Sequence, residues 1–374
     1  MKILLLTPWF PNPENPNLGN FILRQFELIA KQHDVFLLAF SANGTARNSV
    51  SCESTEKYGF KGWHITHRSR QGPISWRYAR EGRSLGLSLL EKEQFVPDLV
   101  HGQIAHQIGD LLHRIKKNHS IPILCSEHWS GYLQERNEKL RPAERIRKRL
   151  AIRSVDVLLP VTTQLGQAMN RSGFGTQKIR IWRNPVDDRL FTPGSKKSFD
   201  FMHLSGLDAN KRPLEILRAF HQILADHPKA RLSIGGDGPT DALAKLQREL
   251  DIPPENLEIH GSMNYEEVAE RMRSTRCLVQ FSRYENLPCT IGEALTAGLS
   301  VISSDVGGIR ELVNQENGLL IPRDGHAELT QAMKSYMKTP FSPKPLDLLS
   351  PKKLMDQIDA IYKEIGLKKV HRLQ

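Results

Sequence analysis

Cysteine is scarce in this 374-residue chain, with four residues at Cys52, Cys125, Cys277 and Cys289. They stand at no metal-type spacing, so free thiols in a reducing, cytoplasmic setting are expected. Asp-x-Asp is absent altogether. A diphosphate clamped through a carboxylate-held metal is therefore disfavoured, and no metal site is expected. Cationic side chains and backbone N–H groups are the expected substitutes. No apolar run is long enough to cross a bilayer. The opening MKILLLTPWFPN has too short an apolar stretch for a signal peptide and no small-residue cleavage site, so it reads as a first buried strand. There is no repeat at solenoid periods. No helix-turn-helix or zinc-finger pattern accompanies the basic charge, which ranks a nucleic-acid partner last.

What is present is ordinary for a globular protein: 39% hydrophobic and 25% charged residues. The length suits two domains better than one core. Net charge is +11 and unevenly placed. Residues 1–183 carry 27 Lys+Arg against 15 Asp+Glu, or +12, and the remainder carries 25 against 26, or −1. Within the first half, residues 135–153 hold eight basic residues, Arg145, Arg147 and Lys148 among them, against three acidic ones. This segment reads as a helix with a thin apolar side, either a solvated face or a docking surface for anionic lipid.

Short apolar strands alternate with helical patterns. Strands are expected at 3–7, 35–40, 99–101, 121–125 and 155–161, with helices at 21–31, 85–92 and 108–117. Residues 41–71 give no clear pattern. IRIWRNPVDDRLFTPGSKKS, with two prolines and a glycine, marks a boundary. Beyond it, strands are expected at 201–204, 231–235, 257–260, 277–281 and 300–303. Helices are expected at 213–227, 240–250, 265–272, 288–297 and 327–337. A last helix, 352–365, follows the proline-rich FSPKPLDLLSP. The class is α/β, with doubly wound parallel sheets in domains 1–185 and 199–340 and a terminal segment 341–374.

The most telling stretch is ENLPCTIGE, bounded by Glu285 and Glu293 and followed by Gly307 and Gly308. The apolar CLVQF before it reads as a buried strand, and Pro288 suits the first turn of the next helix. That sets Glu285 at the strand's carboxyl end, where open α/β sheets bind ligands. Carboxylates accept from sugar and ribose hydroxyls, and a helix N-terminus holds phosphate. Lys211, in HLSGLDANKRP between a strand and a helix, is the best phosphate cation by the same logic. The glycine pair serves either packing or close ligand approach.

Glu-x7-Glu, EALTAGLSVISSDVGGIREL and NGLLIP together resemble the donor-binding segment of retaining glycosyltransferases of the GT-B fold, family four. The resemblance covers the second half well and the first half by pattern. It implies two Rossmann-like domains facing a central cleft, with the last helix crossing back to the first domain. It also implies transfer of a sugar from a nucleotide-sugar donor, a co-substrate rather than a cofactor, to a hydroxyl of a glycan or lipid-linked acceptor. Glu285 then takes the donor sugar and Glu293 the ribose. Lys211 holds the leaving phosphate, with backbone at Asn286 and Leu287 near the diphosphate and Gly261 near the base. His128, ending ILCSEH, matches a histidine near the donor sugar, and His101 is a weaker candidate. Gly19 matches the first of two glycines facing the donor; Asn20 replaces the second. After Gly206 the family often has a basic residue, where this chain has Leu207, and Arg212 is the expected replacement. Glu127 has no assigned role. Many members work on lipid-linked acceptors at the inner leaflet, which puts a peripheral membrane site for 135–153 level with a solvated face. A GT-B sugar-nucleotide epimerase and a non-catalytic sugar-nucleotide-binding protein are the alternatives.

Overall fold

Residues Ile3, Leu4, Leu5 and Leu6 are buried on both faces, as a central parallel strand requires. The computed structural model describes every residue except 13–14, 45–47, 70–72, 120, 134–141, 176–177 and 371–374. It divides into two units, one built from Met1–Tyr132, Glu138–Pro185 and the chain from Lys352 onward, the other from Val186–Pro351.

The first unit runs β1 (Lys2–Thr7), α1 (Asn20–Ala30), β2 (Asp34–Asn43), β3 (Val50–Ser54), β4 (Gly62–Arg68), α2 (Pro73–Lys92), β5 (Leu99–Gln103), α3 (Ala105–Asn118), β6 (Ile123–Glu127), α4 (Pro142–Arg153), β7 (Val157–Pro160) and α5 (Thr163–Arg171). Its seven strands lie in the order β3-β4-β2-β1-β5-β6-β7, all parallel but for the edge pair β3–β4. The β3–β4 pair occupies the stretch that has no clear sequence pattern. β3 is almost wholly exposed, so no buried alternation marks it.

The second unit runs β8 (Phe199–Ser205), α6 (Pro213–Leu224), β9 (Leu232–Gly236), α7 (Asp241–Glu249), β10 (Leu257–His260), α8 (Tyr265–Arg273), β11 (Thr275–Gln280), α9 (Cys289–Thr296), β12 (Ser300–Ser304), β13 (Gly318–Ile321) and α10 (His326–Lys338). Its six strands are ordered β10-β9-β8-β11-β12-β13 and are parallel throughout. Asn264 and Glu267 close a capping box on α8, each side chain accepting from the other's backbone N–H. Pro288 sits one position earlier than expected, as the extended N-cap of α9.

The last helix, α11 (Pro351–Val370), packs on the first unit. Leu354, Met355, Ile358, Ile361, Tyr362 and Ile365 recur at helical spacing and join the core of β1, β2 and α1. Trp182 Nε1 donates to Leu354 O at 3.0 Å and Gln357 Nε2 to Ile181 O at 2.7 Å. His101 Nδ1 shares a 2.5 Å hydrogen bond with the Tyr362 hydroxyl, and its Nε2 a 2.8 Å one with Ser126 Oγ. His101 therefore lies inside β5, not at its end, and anchors α11.

Candidate functional site

Each sheet reverses direction once. In the second unit the chain leaves β8 to build β9 and β10 on one side, then returns to lay β11, β12 and β13 on the other. The point between β8 and β11 is where open α/β sheets take ligands, outside the strands' carboxyl ends. Both chemistry-bearing loops emerge there: 206–212 after β8 and 281–288 after β11.

These loops are stitched together by Asn210. Its Nδ2 donates to Tyr284 O at 3.2 Å, its Oδ1 accepts from Tyr284 N at 3.1 Å, and its carbonyl accepts from Arg283 N at 2.9 Å. Asp208 Oδ1 in turn accepts from the backbone N–H of Asn210 and Lys211 at 2.9 and 3.0 Å, an Asx turn that sets the lysine. Lys211 Nζ then donates to Glu285 Oε1. The ammonium is 22% exposed and the carboxylate 11%, so the pair is shielded yet reachable. One of three ammonium N–H donors serves Glu285, and the geometry permits others to serve an incoming anion. Below, Gln280 Nε2 bridges Leu204 O and Thr290 Oγ1 at 3.0 and 3.1 Å. Buried His203 donates Nδ1–H to Val279 O at 2.8 Å, its pKa lowered to about 4 by burial. Glu293 lies on α9 and is 5% exposed.

Arg212 goes elsewhere. It is 4% exposed, lies over the Phe281 ring at 4.8 Å, and donates to Arg323 O at 2.7 Å and to Asp324 Oδ1. Its guanidinium ties α6 to the loop before α10 rather than joining Lys211. Lys211 is thus the cation paired with Glu285, and Arg212 does not stand in for the basic residue missing at Leu207.

The glycines sort by what a side chain would meet. A Cβ at Gly307 would sit 1.8 Å from Glu285 O, at a φ of +57°. Gly308 N donates to Asn286 O at 2.8 Å. Gly307 therefore serves packing against the backbone of Glu285, and the Gly308 N–H holds that of Asn286. Gly206 and Gly261 differ. A Cβ at Gly206 would meet nothing nearer than 3.8 Å and one at Gly261 nothing within 4 Å, and neither has a left-handed φ. The fold does not require glycine at either, whereas a ligand lying against the backbone would. Leu287 is buried, 9% exposed, in the loop after β11.

In the first unit the reversal falls between β1 and β5. Gly19 caps α1 at φ +75°, and a Cβ there would press 2.4 Å from Trp9 O, so the turn after β1 demands glycine. Asn20 Nδ2 turns back to Asn17 Oδ1 at 3.0 Å. His128 follows β6, 8% exposed, its ring 4.8 Å from that of Phe21. Its Nε2 donates to Gln103 Oε1 at 2.8 Å; Gln103 Nε2 donates to Gln25 Oε1 at 3.0 Å, and Gln25 Nε2 to Asn184 Oδ1 at 2.9 Å. Burial and the nearby His101 lower the His128 pKa to about 3, so the imidazole is neutral. Neither Asn210 nor this amide relay is marked by a local motif; the only signal is a polar residue at a strand's end.

Glu127, fully buried at the end of β6, accepts at Oε1 from the N–H groups of His128 and Trp129, both at 3.0 Å. Burial raises its pKa to about 7 against those hydrogen bonds and Lys148. Lys148 points inward, 9% exposed, with Nζ 3.4 Å from the centre of the Trp129 ring. It is therefore not part of any outward basic face. Arg145 and Arg147 have side chains outside the described residues.

Two Rossmann-like units of this topology, each with its ligand edge at a reversal point of its sheet, define the GT-B class of α/β enzymes. The sequence model of the family Glycosyl transferases group 1 matches residues 189–350, and that of Glycosyltransferase Family 4 matches 25–190. The chain belongs to these group 1, family 4 glycosyltransferases and is a glycosyltransferase. A Bacillus subtilis (strain 168) protein, TuaC, whose name assigns it to teichuronic acid biosynthesis, is 24% identical over 361 residues, covering 90% of this chain and 89% of that one. Among solved structures, the sucrose-phosphate synthase of Thermosynechococcus elongatus superposes with a TM-score of 0.70 at 16% identity, covering 100% of this chain and 99% of the other. Anabaena Alr3699/HepE in complex with UDP gives 0.69 at 16% identity, with coverage of 100% and 99%.

Proposed function

We propose that this protein transfers a sugar, with retention of anomeric configuration, from a nucleotide-sugar donor to a hydroxyl of a glycan or lipid-linked acceptor in polysaccharide or glycoconjugate synthesis. The observation that carries the reading is the Lys211–Glu285 pair at the reversal point of the second sheet. Breaking the bond between anomeric carbon and phosphate puts positive charge on the sugar and negative charge on the leaving diphosphate. An ammonium set in place beforehand meets the second charge, and a carboxylate beside it orients the sugar's hydroxyls. Glu293 takes the ribose, and the nucleotide lies along Gly206 and Gly261. The leaving phosphate, steadied by Lys211, takes the proton of the incoming hydroxyl as the new glycosidic bond forms on the same face. Neutral His128 orients the sugar by hydrogen bonding rather than by proton transfer. Diphosphate charge is met without a metal. HepE, of the same fold, has been crystallised with UDP-glucose, which makes that donor the first probe.

Lys211→Ala is expected to lower kcat/KM by at least about a hundredfold with an unchanged melting temperature. Turnover by the parent enzyme should persist in excess chelator, with donor consumed only when acceptor is present. Near-parental turnover of a folded Lys211→Ala protein removes the lysine from the mechanism, and activity lost to chelator removes the metal-free reading.

The same reading includes peripheral attachment to an anionic membrane through α4. Among the described residues no helix is long and apolar enough to cross a bilayer. The inner side of α4 carries Lys148, Ala151 and Ile152, and its outer side exposes Ile146 (61%), Leu150 (52%) and Arg153. Two large apolar side chains one turn apart beside a cation suit the lipid interface.

A further inference from the structure

The first unit contains a cavity of about 830 Å³ that the donor chemistry does not use. It opens at the carboxyl edge of the sheet, against Pro8 after β1, Phe40 and Ala42 in β2, and His106 in α3. That is beside the reversal point of this sheet, the place where such folds take ligands. Its volume falls in the range of small-molecule sites. One wall is α2, which presents Arg77, Arg80 and Arg83 at successive intervals of three residues, on one helical face.

The three arginines are not equivalent. Arg83 is anchored, donating to Asp110 Oδ1 at 2.5 Å and to Gln107 O at 2.7 Å. Arg77 and Arg80 are exposed, and neither has an ion-pair partner among the described residues. Lining groups thus carry three guanidinium charges against the single carboxylate of Asp110, a surplus of two. The histidines do not add to it: burial lowers His106 to about 3 and lowers His67 as well, so both are neutral. A surplus of two held by guanidinium forks one turn apart matches a dianion with several oxygens, which planar guanidinium binds in pairs. Apolar walls elsewhere in the cavity leave room for the rest of the molecule.

We propose that this cavity binds the acceptor through a diphosphate group held by Arg77 and Arg80. The proposal rests on the glycosyltransferase reading in one respect, that the anion belongs to the acceptor.

The test uses the full chain with Lys211→Ala, which removes the donor-side cation, and inorganic pyrophosphate as probe in calorimetry. Pyrophosphate should still bind, and adding Arg77→Gln and Arg80→Gln should weaken it at least tenfold, while Arg77→Lys with Arg80→Lys should retain most of it. Equal binding with and without the two glutamine substitutions overturns the proposal, as does no binding at all. A second arm compares farnesyl diphosphate in detergent with pyrophosphate. Binding at least tenfold tighter supports a lipid-borne diphosphate, and equal binding supports a water-soluble one. A third arm measures UDP-glucose binding to the Arg77→Gln, Arg80→Gln protein with Lys211 in place, where no change is expected. Failure of pyrophosphate with intact UDP-glucose binding sinks the acceptor site alone. Pyrophosphate binding with no nucleotide-sugar binding sinks the donor reading alone.

Discussion

Gly307 and Gly261 both follow strands of the second sheet, after β12 and β10, yet only one is fixed by the chain's own packing. Gly307→Ala drives a Cβ into Glu285 O at a left-handed φ, and backbone on both sides cannot yield cheaply. A loss of about 2–4 kcal/mol and a displaced Glu285 are expected, seen as a drop of several degrees in melting temperature and collapse of activity. Gly261→Ala fills open space, so the melting temperature should stay put while donor KM rises several-fold. A Gly261→Ala enzyme with parental KM would deny the ligand a place there. At this scale the sequence was most legible where a short motif held each residue: Lys211 and Glu285 lie in loops that the structure brings together, and Glu293 lies on α9. It was silent where partners are remote, because Gln25, Gln103 and Asn184 meet across 78 and 159 residues. Arg212 shows the converse: its neighbour Lys211 faces the ligand edge, but a left-handed N-cap turns Arg212 toward Asp324.

Among the elements, periodicity located those whose buried face is continuous and failed for those without one. The parallel strands other than β4 and β13, and α6, α8 and α10, lie within a few residues of their expected bounds; the four-residue β13 was not expected. β3 carries exposed side chains, and β4 begins at Gly62, whose φ of +145° lets it cross Leu37, a requirement no hydrophobic pattern expresses. α2 begins well before the expected residue 85, and its stretch with Arg77, Arg80 and Arg83 lines the cavity rather than forming a continuous apolar stripe. α4 illustrates a basic segment whose charges divide: Lys148 turns in under Trp129 while Arg153 stays out. Binding of the protein to anionic vesicles, and not to neutral ones, is expected in flotation. Ile146→Ser with Leu150→Ser should weaken it at least tenfold, since each exposed side chain contributes about 1–2 kcal/mol on insertion. Undiminished flotation of that variant would clear α4.

For the molecule as a whole, acid is the strongest perturbation. His101, His106 and His128 are held near 3 and His203 near 4, all by burial. Their folded values lie below the ordinary 6.5, so the stability they confer is complete above that pH and is lost as pH falls toward 3–4. Each contributes up to about 1.4 kcal/mol per pH unit once its unfolded form is protonated. Glu127 acts oppositely. Raised from 4.5 to about 7, it contributes fully below 4.5 and loses that contribution as pH rises through 7. Four groups outweigh one, so the melting temperature should fall steeply below about pH 6, with Glu127 offsetting part of that fall between about 4.5 and 7. Glu127→Gln should remove that offset and steepen the fall between about pH 7 and 4.5. A flat profile from pH 5 to 7 would contradict the neutral, buried histidines. Three of the four lie in the first unit, which should lose amide protection first.

Because α11 follows every other described element in the chain yet seals the core that β1, β2 and α1 begin, vectorial synthesis leaves that core open while the ribosome makes everything between. At about 5–20 residues per second the wait lasts on the order of ten seconds or more. Nascent chains stalled before Pro351 should therefore recruit holding chaperones, and a synthetic peptide spanning 351–370 should release them; stalled chains that already resist protease in residues 1–40 would show the seal to be dispensable.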